Sequence, residues 1–233
     1  MKLHVINSGS EANCYVLEND TEALVIECGC NLMSVKKAIG FDVKKIKGCI
    51  CSHSHFDHSK YVEDFSKHGI SVYKPWLFDE SQVVKSTLNF GNFTIRPVKM
   101  IHDVPCYGYY IKHPDMGRLL FATDTEYIPQ NYSKVKLNHI LIEDNYLPEL
   151  VSEEFANYEH KLLGHMAHPT TLKAVEVNAS DELKSVLLLH LGGGTSEPKR
   201  MVEDVMNIVD AKVHVDYARK GLTIDLSRID CPF

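Results

Sequence analysis

The chain has 233 residues, of which 44% are hydrophobic and 24% are charged, and its formal net charge is −6. These proportions are typical of a soluble globular protein. The acidic balance argues against a broad basic surface that grips duplex DNA. The length suits one domain spanning residues 1–233. No apolar run is long enough for a membrane helix, so no membrane partner is expected.

The cysteines indicate the cellular compartment. There are seven, an odd number, and none forms a CxxC pair, so buried reduced thiols are favoured over a disulfide framework or a thiolate metal site. The first residues lack the apolar core of a signal peptide. Together these features predict a cytoplasmic protein.

The first third of the chain alternates short apolar runs with turn residues. Ser8-Gly9-Ser10 is a turn cluster, and Ser59 is a predicted helix N-cap. The predicted strands cover 2–7, 13–18, 24–28, 46–51 and 70–73, and the predicted helices cover 33–39 and 59–67. The succession of strand, turn and strand at the start of the chain favours antiparallel pairing. Residues 24–73 predict a β-α-β-α-β unit, in which functional residues gather at the carboxyl ends of the strands.

The middle of the chain is predicted to be rich in strands, and the last third is α/β. Phe90-Gly91-Asn92-Phe93 is a hairpin signal. Further strands are predicted at 93–100, 107–112, 118–122, 139–142, 185–189, 212–216 and 221–226, and further helices near 149–158, 169–177 and 197–209. Helices on either side of a β-rich centre predict stacked sheets with helices on both outer faces.

Three histidines and one aspartate fall within six residues of one loop, His53-Ser54-His55-Phe56-Asp57-His58. Imidazole nitrogens and carboxylate oxygens are ligands for divalent metals. On an extended segment His53, His55 and Asp57 would point the same way, whereas His58 would point elsewhere. One loop could therefore serve two adjacent ions.

Three more residues share the position of that loop, because each directly follows an apolar strand. A lone histidine there is more often a surface residue, but three such positions beside the cluster support one another. The predicted ligands are His53, His55 and His102 for one ion, Asp57, His58 and His190 for the other, and Asp124 as the bridge. Two such ions, about 3.5–4 Å apart, would activate a shared water. Ligation by N and O permits Zn²⁺, which is the expected metal, and also Mn²⁺, Fe or Ni²⁺.

The ordered set of motifs resembles the metallo-β-lactamase superfamily. The loop at 53–58, followed by His102, Asp124 and His190, is similar to the metal motifs of that superfamily across most of the chain. The resemblance implies an α/β fold, the αββα sandwich of two mixed β-sheets flanked by helices. Many members carry Asp where this chain has Glu27, and the resemblance implies that this residue supports the site without ligating.

Smaller motifs resemble the phosphodiesterase and exonuclease-like branch of the superfamily. Residues 8–14, Ser-Gly-Ser-Glu-Ala-Asn-Cys, are similar to the Ser-Gly-Ser…Asn-Cys opening of DNA-processing exonuclease-like members. Residues 164–168, Gly-His-Met-Ala-His, resemble the Gly-His-Leu-Ser-Asn segment of that branch. Leu189-His190-Leu191 matches its His-Leu motif, although Gly192–Gly194 replaces the usual polar continuation. Cyclic-nucleotide phosphodiesterases of the superfamily share much of this outline.

These motifs predict a two-metal hydrolase of nucleotide phosphodiester bonds, acting either on cyclic mononucleotides or on nucleic-acid ends as a 5′-exonuclease does. The predicted catalytic residues are Asp57, His165 and His168. Either histidine could protonate the leaving oxygen, and either could instead be a polar cap on the helix near 169–177. A carboxyl-ester, thioester or lactone hydrolase on the same site is one alternative, and a metal-binding protein without catalysis is another.

Two local features allow two interpretations each. The glycine run 192–194 could offer backbone donors to a phosphate or form a plain flexible loop. The apolar patch around Trp76 could cover the core or form a homodimer face.

Overall fold

Two β-sheets packed face to face organise the chain in the computed structural model, which describes residues 1–152 and 162–227. The strands are β1 Lys2–Asn7, β2 Cys14–Glu18, β3 Ala23–Ile26, β4 Ile46–Ile50, β5 Val72–Tyr73, β6 Leu88–Phe90, β7 Phe93–Lys99, β8 Tyr107–His113, β9 Gly117–Ala122, β10 His139–Glu143, β11 Ser185–Leu189, β12 His214–Tyr217 and β13 Thr223–Asp225. The α-helices are α1 Leu32–Ala38, α2 Phe56–Ser59, α3 Val62–Lys67, α4 Glu80–Val83, α5 His168–Asn178 and α6 Pro198–Met206, and short 3-10 turns cover Val43–Lys45, Pro75–Leu77, Ser133–Val135 and Pro148–Leu150.

Both sheets are mixed. The first has the order β13-β1-β2-β3-β4-β5, antiparallel from β13 to β3 and parallel from β3 to β5. The second has the order β12-β11-β10-β9-β8-β7-β6, parallel from β12 to β9 and antiparallel from β9 to β6. The parallel pairs are joined by crossover connections of a dozen or more residues, most of which contain an α-helix, whereas the one between β9 and β10 contains only the 3-10 turn Ser133–Val135. The carboxyl ends of the parallel strands therefore lie at one edge of the sandwich.

The core lies in three layers that the strand period explains. Leu24 and Ile26 point between the sheets with Tyr15 and Phe121, whereas Val25 points outward under α1 and α3. A second outer cluster packs β10 and β11 against α5 and α6. A fully buried aliphatic or aromatic side chain contributes roughly 1.5–3 kcal/mol. The predicted α/β fold, two mixed sheets flanked by helices, is confirmed.

The segment that carries the histidine cluster differs from its predicted form. Ser59 is not the N-cap of a helix that follows it; it ends a short helix, α2, that begins within the cluster. The carbonyl of His55 accepts hydrogen bonds from the N–H groups of His58 and Ser59, and the Ser59 hydroxyl donates to the same carbonyl. Asp57 therefore lies on a helical turn instead of an extended segment. After this turn the His58 ring lies beside the His53 ring, with centroids 4.2 Å apart, and its Nε2 also contacts Asp57.

Other sequence predictions meet the described structure in part. Four cysteines, Cys14, Cys28, Cys49 and Cys51, are buried as free thiols under α1 and α3. Trp76 packs against the same cluster, while Leu77 and Phe78 are exposed. The predicted helix near 149–158 falls largely on residues 153–161, outside the described residues, and its start is the 3-10 turn Pro148–Leu150. Within the described ranges no helix has the length and apolar character needed to cross a bilayer.

Candidate dinuclear metal centre

The seven predicted ligands leave strand ends of both sheets and meet at one edge of the sandwich. Those of the first sheet follow β4, and the others follow β7, β9 and β11. Their ligand atoms form groups in which all atoms lie within 4.8 Å of one another. Two groups reproduce the predicted triads, and two more place Asp124 with members of each triad: His53–His55–His102, Asp57–His58–His190, His53–His58–Asp124 and Asp124–Glu143–His165–His190.

In the first triad, hydrogen bonds on one ring nitrogen orient the other. His102 donates from Nδ1 to the carbonyl of Gly164 at 2.8 Å, and its Nε2 lies 3.3 Å from Nδ1 of His55. Nδ1 of His53 is 2.8 Å from the Ser52 hydroxyl. Burial is the main cause that holds the pKa of His53 well below its usual range. His53 is therefore neutral, as a metal ligand must be.

The second triad brings carboxylates and imidazoles into direct contact. Nε2 of His58 lies 3.2 Å from Oδ2 of Asp57 and 3.1 Å from Oδ2 of Asp124, and Nε2 of His190 lies 3.7 Å from the same Asp57 oxygen. Burial lowers the pKa of His58, but Asp124 and then Glu27 outweigh it and raise that pKa well above its usual value. This charge pattern favours a cation at the centre of the group, because a divalent ion can replace the proton that the carboxylates stabilise.

Two buried nitrogen atoms test whether the site suits metal ions. Among the described residues, the side-chain polar atoms that are buried without a hydrogen-bond partner are Nε2 of His53 and Nε2 of His190, one in each triad. An unsatisfied buried polar atom costs about 1–3 kcal/mol. Each of the two lies among nitrogen and oxygen donors that suit Zn²⁺ or Mn²⁺. The residues therefore fit a pair of divalent cations.

Glu27 supports the loop from the buried side. Both carboxylate oxygens accept from the N–H of Ser52, at 3.1 and 3.2 Å, and Oε2 lies 3.5 Å from Nδ1 of His58. Burial raises the pKa of Glu27 to about 7, although His58 opposes the shift. Glu27 thus contacts Nδ1 of the His58 ring, whereas Asp57 contacts Nε2 of the same ring.

The opening motif at residues 8–14 supports the same loop through Asn13. The Asn13 side-chain amide donates to Oδ2 of Asp57 at 3.1 Å and lies 2.9 Å from Nε2 of His58. The backbone N–H of Asn13 donates to the Asp57 carbonyl at 2.7 Å, and Gly29 donates to the Asn13 carbonyl. A side chain at Gly29 would overlap the Asp57 carbonyl oxygen, so this close approach requires glycine.

Sequence reasoning missed Glu143, which joins the site from the end of β10. Its Oε1 lies 2.6 Å from Nδ1 of His165 and 3.1 Å from Nδ1 of His190, and its Oε2 accepts from the N–H of Thr125. A hydrogen bond of this kind fixes the tautomer of a metal-ligating histidine. The signal was available, since Glu143 follows an apolar strand just as Asp124 and His190 do.

The two candidate proton donors lie in different surroundings. The His165 ring centroid is 5.1 Å from that of His190 and 5.6 Å from that of His102, so it borders both triads. His168 begins α5, with Nδ1 2.9 Å from Asp144 and Nε2 3.2 Å from Asp204. Both nitrogens of His168 are thus engaged with carboxylates. The catalytic role stays a prediction for both residues, and only His165 lies beside the ligands.

The strand ends that carry the site have strained backbone. Glu27, Asp124 and His190 have φ values of 69°, 51° and 52°, in the left-handed region that side chains other than glycine rarely adopt. Such conformations persist where surrounding contacts hold them, and they cluster at functional sites. Here the side chain of Glu27 contacts His58, and that of Asp124 contacts both His58 and His190.

The glycine run after His190 has a more ordinary environment. The N–H of Gly192 donates to the Asn145 carbonyl at 2.8 Å, and Gly193 and Gly194 border open space. A phosphate-binding role for this run stays a prediction.

Comparison with known proteins agrees with this geometry. The family model described as "Metallo-beta-lactamase superfamily" matches residues 8–73, which contain the opening motif and the histidine loop. The metallo-β-lactamase fold protein YhfI from Bacillus subtilis superposes with a TM-score of 0.70 and 18% identity, covering 96% of this chain and 98% of that one. The chain has the metallo-β-lactamase fold. The resemblance predicted from the sequence is confirmed.

Relatives and structural neighbours with stated activities are hydrolases. Exodeoxyribonuclease WalJ of Streptococcus pneumoniae serotype 2 is 24% identical over 220 residues, 82% of this chain and 81% of the relative. A diphosphatase of the PhnP family superposes with a TM-score of 0.62 and 13% identity, covering 96% of each chain. Both of these proteins are hydrolases by name, which confirms the predicted hydrolase class.

Proposed function

We propose that the protein is a two-metal phosphodiesterase that cleaves nucleotide phosphodiester bonds, with nucleic-acid ends as its substrates. The observation that carries the proposal is the convergence of two ligand triads, each with one buried imidazole nitrogen that lacks a hydrogen-bond partner among the described residues. The similarity to an exodeoxyribonuclease supports nucleic-acid ends over cyclic mononucleotides. Zn²⁺ is the proposed metal, since imidazole-rich sites with carboxylates suit it.

The predicted ligands fall into two sets, one for each cation. His53, His55 and His102 would hold one cation, Asp57, His58 and His190 the other, with Asp124 shared between them. The bound pair would supply Lewis acidity toward the phosphate oxygens and would lower the pKa of a water molecule. Asn13, Glu27 and Glu143 keep the ligand side chains in place through the hydrogen bonds described above.

His165 is the proposed proton donor to the leaving oxygen. Its Nδ1 faces Glu143 at 2.6 Å, so Nε2 is the atom that would transfer the proton. A carboxylate on Nδ1 orients the ring and stabilises its protonated form, which is the form a general acid needs. General acid assistance of this kind accelerates a reaction by roughly 10²–10⁴.

The test starts with metal-stripped protein, reconstituted with Zn²⁺ or Mn²⁺ and assayed on bis-p-nitrophenyl phosphate. Turnover should require metal and should disappear in His58→Ala, while His68→Ala, an exposed histidine that belongs to none of the ligand groups, keeps wild-type activity. Stoichiometric metal binding without turnover on this substrate, whichever metal is added, would refute the proposal.

A second assay identifies the substrate. The reconstituted protein is incubated with 5′-labelled oligonucleotides and, separately, with 2′,3′- and 3′,5′-cyclic mononucleotides. Release of mononucleotides from the oligonucleotide ends is the expected result. Hydrolysis of the cyclic compounds alone would keep the reaction class but reject nucleic-acid ends as substrates.

A further inference from the structure

A groove runs along the outer face of the second sheet, and none of the predicted metal ligands lines it. It consists of two adjoining cavities of about 440 and 560 Å³, and Tyr110 and Val135 line both. The face is the outer one because Ile95, Tyr109 and Ile111, whose neighbours along the strands line the groove, belong to the core between the sheets. We name these two cavities together the outer groove.

The outer groove is positively charged in an acidic protein. Five cationic side chains line it, and its lining contains neither aspartate nor glutamate: Arg96, Lys99, Lys112, Arg118 and Lys134. Lys99 and Arg118 pair with Glu80 and Glu182 at its margins. Within the described part of the chain, Arg96, Lys112 and Lys134 have no carboxylate within 4.0 Å. A cleft lined by one sign of charge attracts a polymer of the opposite sign.

The outer groove also offers aromatic rings among these cations. Strand pairing sets Tyr110 beside Arg96 and sets Lys112 beside Arg118, and Tyr132 lines the same groove. Both tyrosines are partly exposed. Cations that track phosphates, combined with aromatic rings on which unpaired bases stack, are the features by which proteins bind single-stranded nucleic acid. Duplex bases would not expose their faces to these rings.

The outer groove leads toward the metal centre. Strand β7 carries Arg96 and then Lys99, and it ends three residues before the predicted ligand His102. At about 3.3 Å per residue, Lys99 lies within about 10 Å of His102 along the chain. We infer that the outer groove binds a strand of single-stranded DNA and directs its end to the metal centre. The inference rests on the proposed function, and DNA is preferred because the matched relative is an exodeoxyribonuclease.

The first test reverses charge in the groove. Binding of a fluorescein-labelled oligothymidylate of about twelve nucleotides is followed by anisotropy, using the full chain, for wild type and for Arg96→Glu with Lys112→Glu. The Kd should rise about tenfold or more, and the slope of log K against log salt should fall by about 1.4, or about 0.7 for each lost phosphate contact. The matched control is Lys37→Glu with Lys44→Glu, two exposed cations on or near α1, and its Kd should stay within about twofold. Equal weakening by both pairs, or by neither, would overturn the inference.

The second test separates base stacking from charge. Tyr110→Leu should weaken oligothymidylate binding about fivefold or more, whereas Tyr110→Phe should bind as wild type does, because stacking needs the ring but not the hydroxyl. Inorganic polyphosphate should bind more weakly than DNA at the same number of charges. If Tyr110→Leu has no effect and polyphosphate binds equally well, the groove is a general anion surface. Tighter binding of oligouridylate than of oligothymidylate, by about tenfold, would reject DNA as the ligand.

The groove and the metal centre can fail separately. Hydrolysis of bis-p-nitrophenyl phosphate should be unchanged in all groove variants, because that small substrate reaches the metals without the groove. Normal hydrolysis with unaltered DNA binding in the charge-reversed pair would reject the groove alone. If that hydrolysis is absent in wild type, the proposed function fails. DNA binding that still depends on Arg96 and Lys112 would then retain the groove as a binding surface.

Discussion

The Glu27 carboxylate lies 3.5 Å from Nδ1 of His58 and also accepts two contacts from the backbone N–H of Ser52. One buried acid therefore fixes both the ring of a proposed ligand and the start of the loop that carries it. Glu27 makes these contacts from a left-handed backbone conformation, with φ of 69°.

Replacing Glu27 with glutamine should weaken the ion held by His58 and leave the fold intact. The amide is a weaker acceptor than the carboxylate for Nδ1–H of the neutral His58 ring, so Nε2 becomes a weaker metal donor, and loss of such a supporting partner typically costs 10–100-fold in metal affinity. Competition with a chromogenic chelator measures the two affinities separately. Glu11→Gln, an exposed glutamate in the opening motif, is the control. Unchanged affinity for both ions would show that Glu27 only packs the core.

His55→Ala and Asp57→Ala should each abolish activity by losing different ions. His55 groups with His53 and His102, whereas Asp57 groups with His58 and His190. Each variant should retain about one ion per chain by elemental analysis, and turnover should fall by about two orders of magnitude or more. His68→Ala should retain both ions. If either ligand variant keeps two ions and normal turnover, the division into two triads is wrong.

His165→Asn should affect substrates according to their leaving group. The proposed proton matters when the leaving oxygen is a poor one, as in a nucleoside, and matters little for p-nitrophenolate. Turnover of oligonucleotides should fall about 10²–10⁴-fold, and turnover of bis-p-nitrophenyl phosphate less than about tenfold. Metal content must equal that of wild type, because His165 also lies within 4.8 Å of ligand atoms. Equal losses on both substrates would rule out a general acid.

His168→Gln should lower stability and leave kcat unchanged. The ring lies between Asp144 and Asp204, which raise its pKa although burial alone would lower it. Losing these hydrogen bonds should cost about 1–3 kcal/mol in urea unfolding. Since a raised folded-state pKa stabilises the protein below the unfolded value near 6.5 and loses that effect as pH rises through the folded value, the variant should be less impaired at alkaline pH. A large drop in kcat without a change in stability would restore His168 as a catalytic candidate.

His139 should make the protein sensitive to mild acid. It is buried at the amino end of β10, where Nε2 donates to the Met116 carbonyl and Nδ1 accepts from Ser185, and burial lowers its pKa to about 4. Protonation of His139 is less favourable in the folded state than in the unfolded state. The free energy of unfolding therefore keeps its full value above about pH 6.5 and falls by about 3 kcal/mol as pH drops toward about 4. Urea unfolding at several pH values, in the presence of a chelator so that metal binding does not contribute, measures how the free energy of unfolding depends on pH. His139→Gln should remove this share of it, and an unaltered pH profile in that variant would contradict the assignment.

The succession of strands along the chain and the positions of the proposed ligands could be predicted because they depend on local pattern. Short apolar runs just before His102, Asp124 and His190 predict both the strands and the polar residues that follow them. The course of the 53–58 loop could not be predicted in this way. Its helical turn depends on hydrogen bonds to the His55 carbonyl and on the close approach of Gly29, which comes from a different strand end.

By itself the sequence determined that stacked sheets lie between helices and which ligand types the 53–58 loop carries, because strand period and ligand type depend on a few consecutive residues, and the motif resemblance implied the αββα arrangement. The tertiary structure alone decided which distant groups serve that loop. Glu143 reaches His165 and His190 across separations of 22 and 47 residues, and Asn13 reaches Asp57 across 44. The outer groove is likewise assembled from separate strands, with no run of basic residues to predict it. Contacts of this kind depend on how two sheets pack: a local pattern can mark a residue such as Glu143 at a strand end, but it does not encode which distant residues that side chain meets.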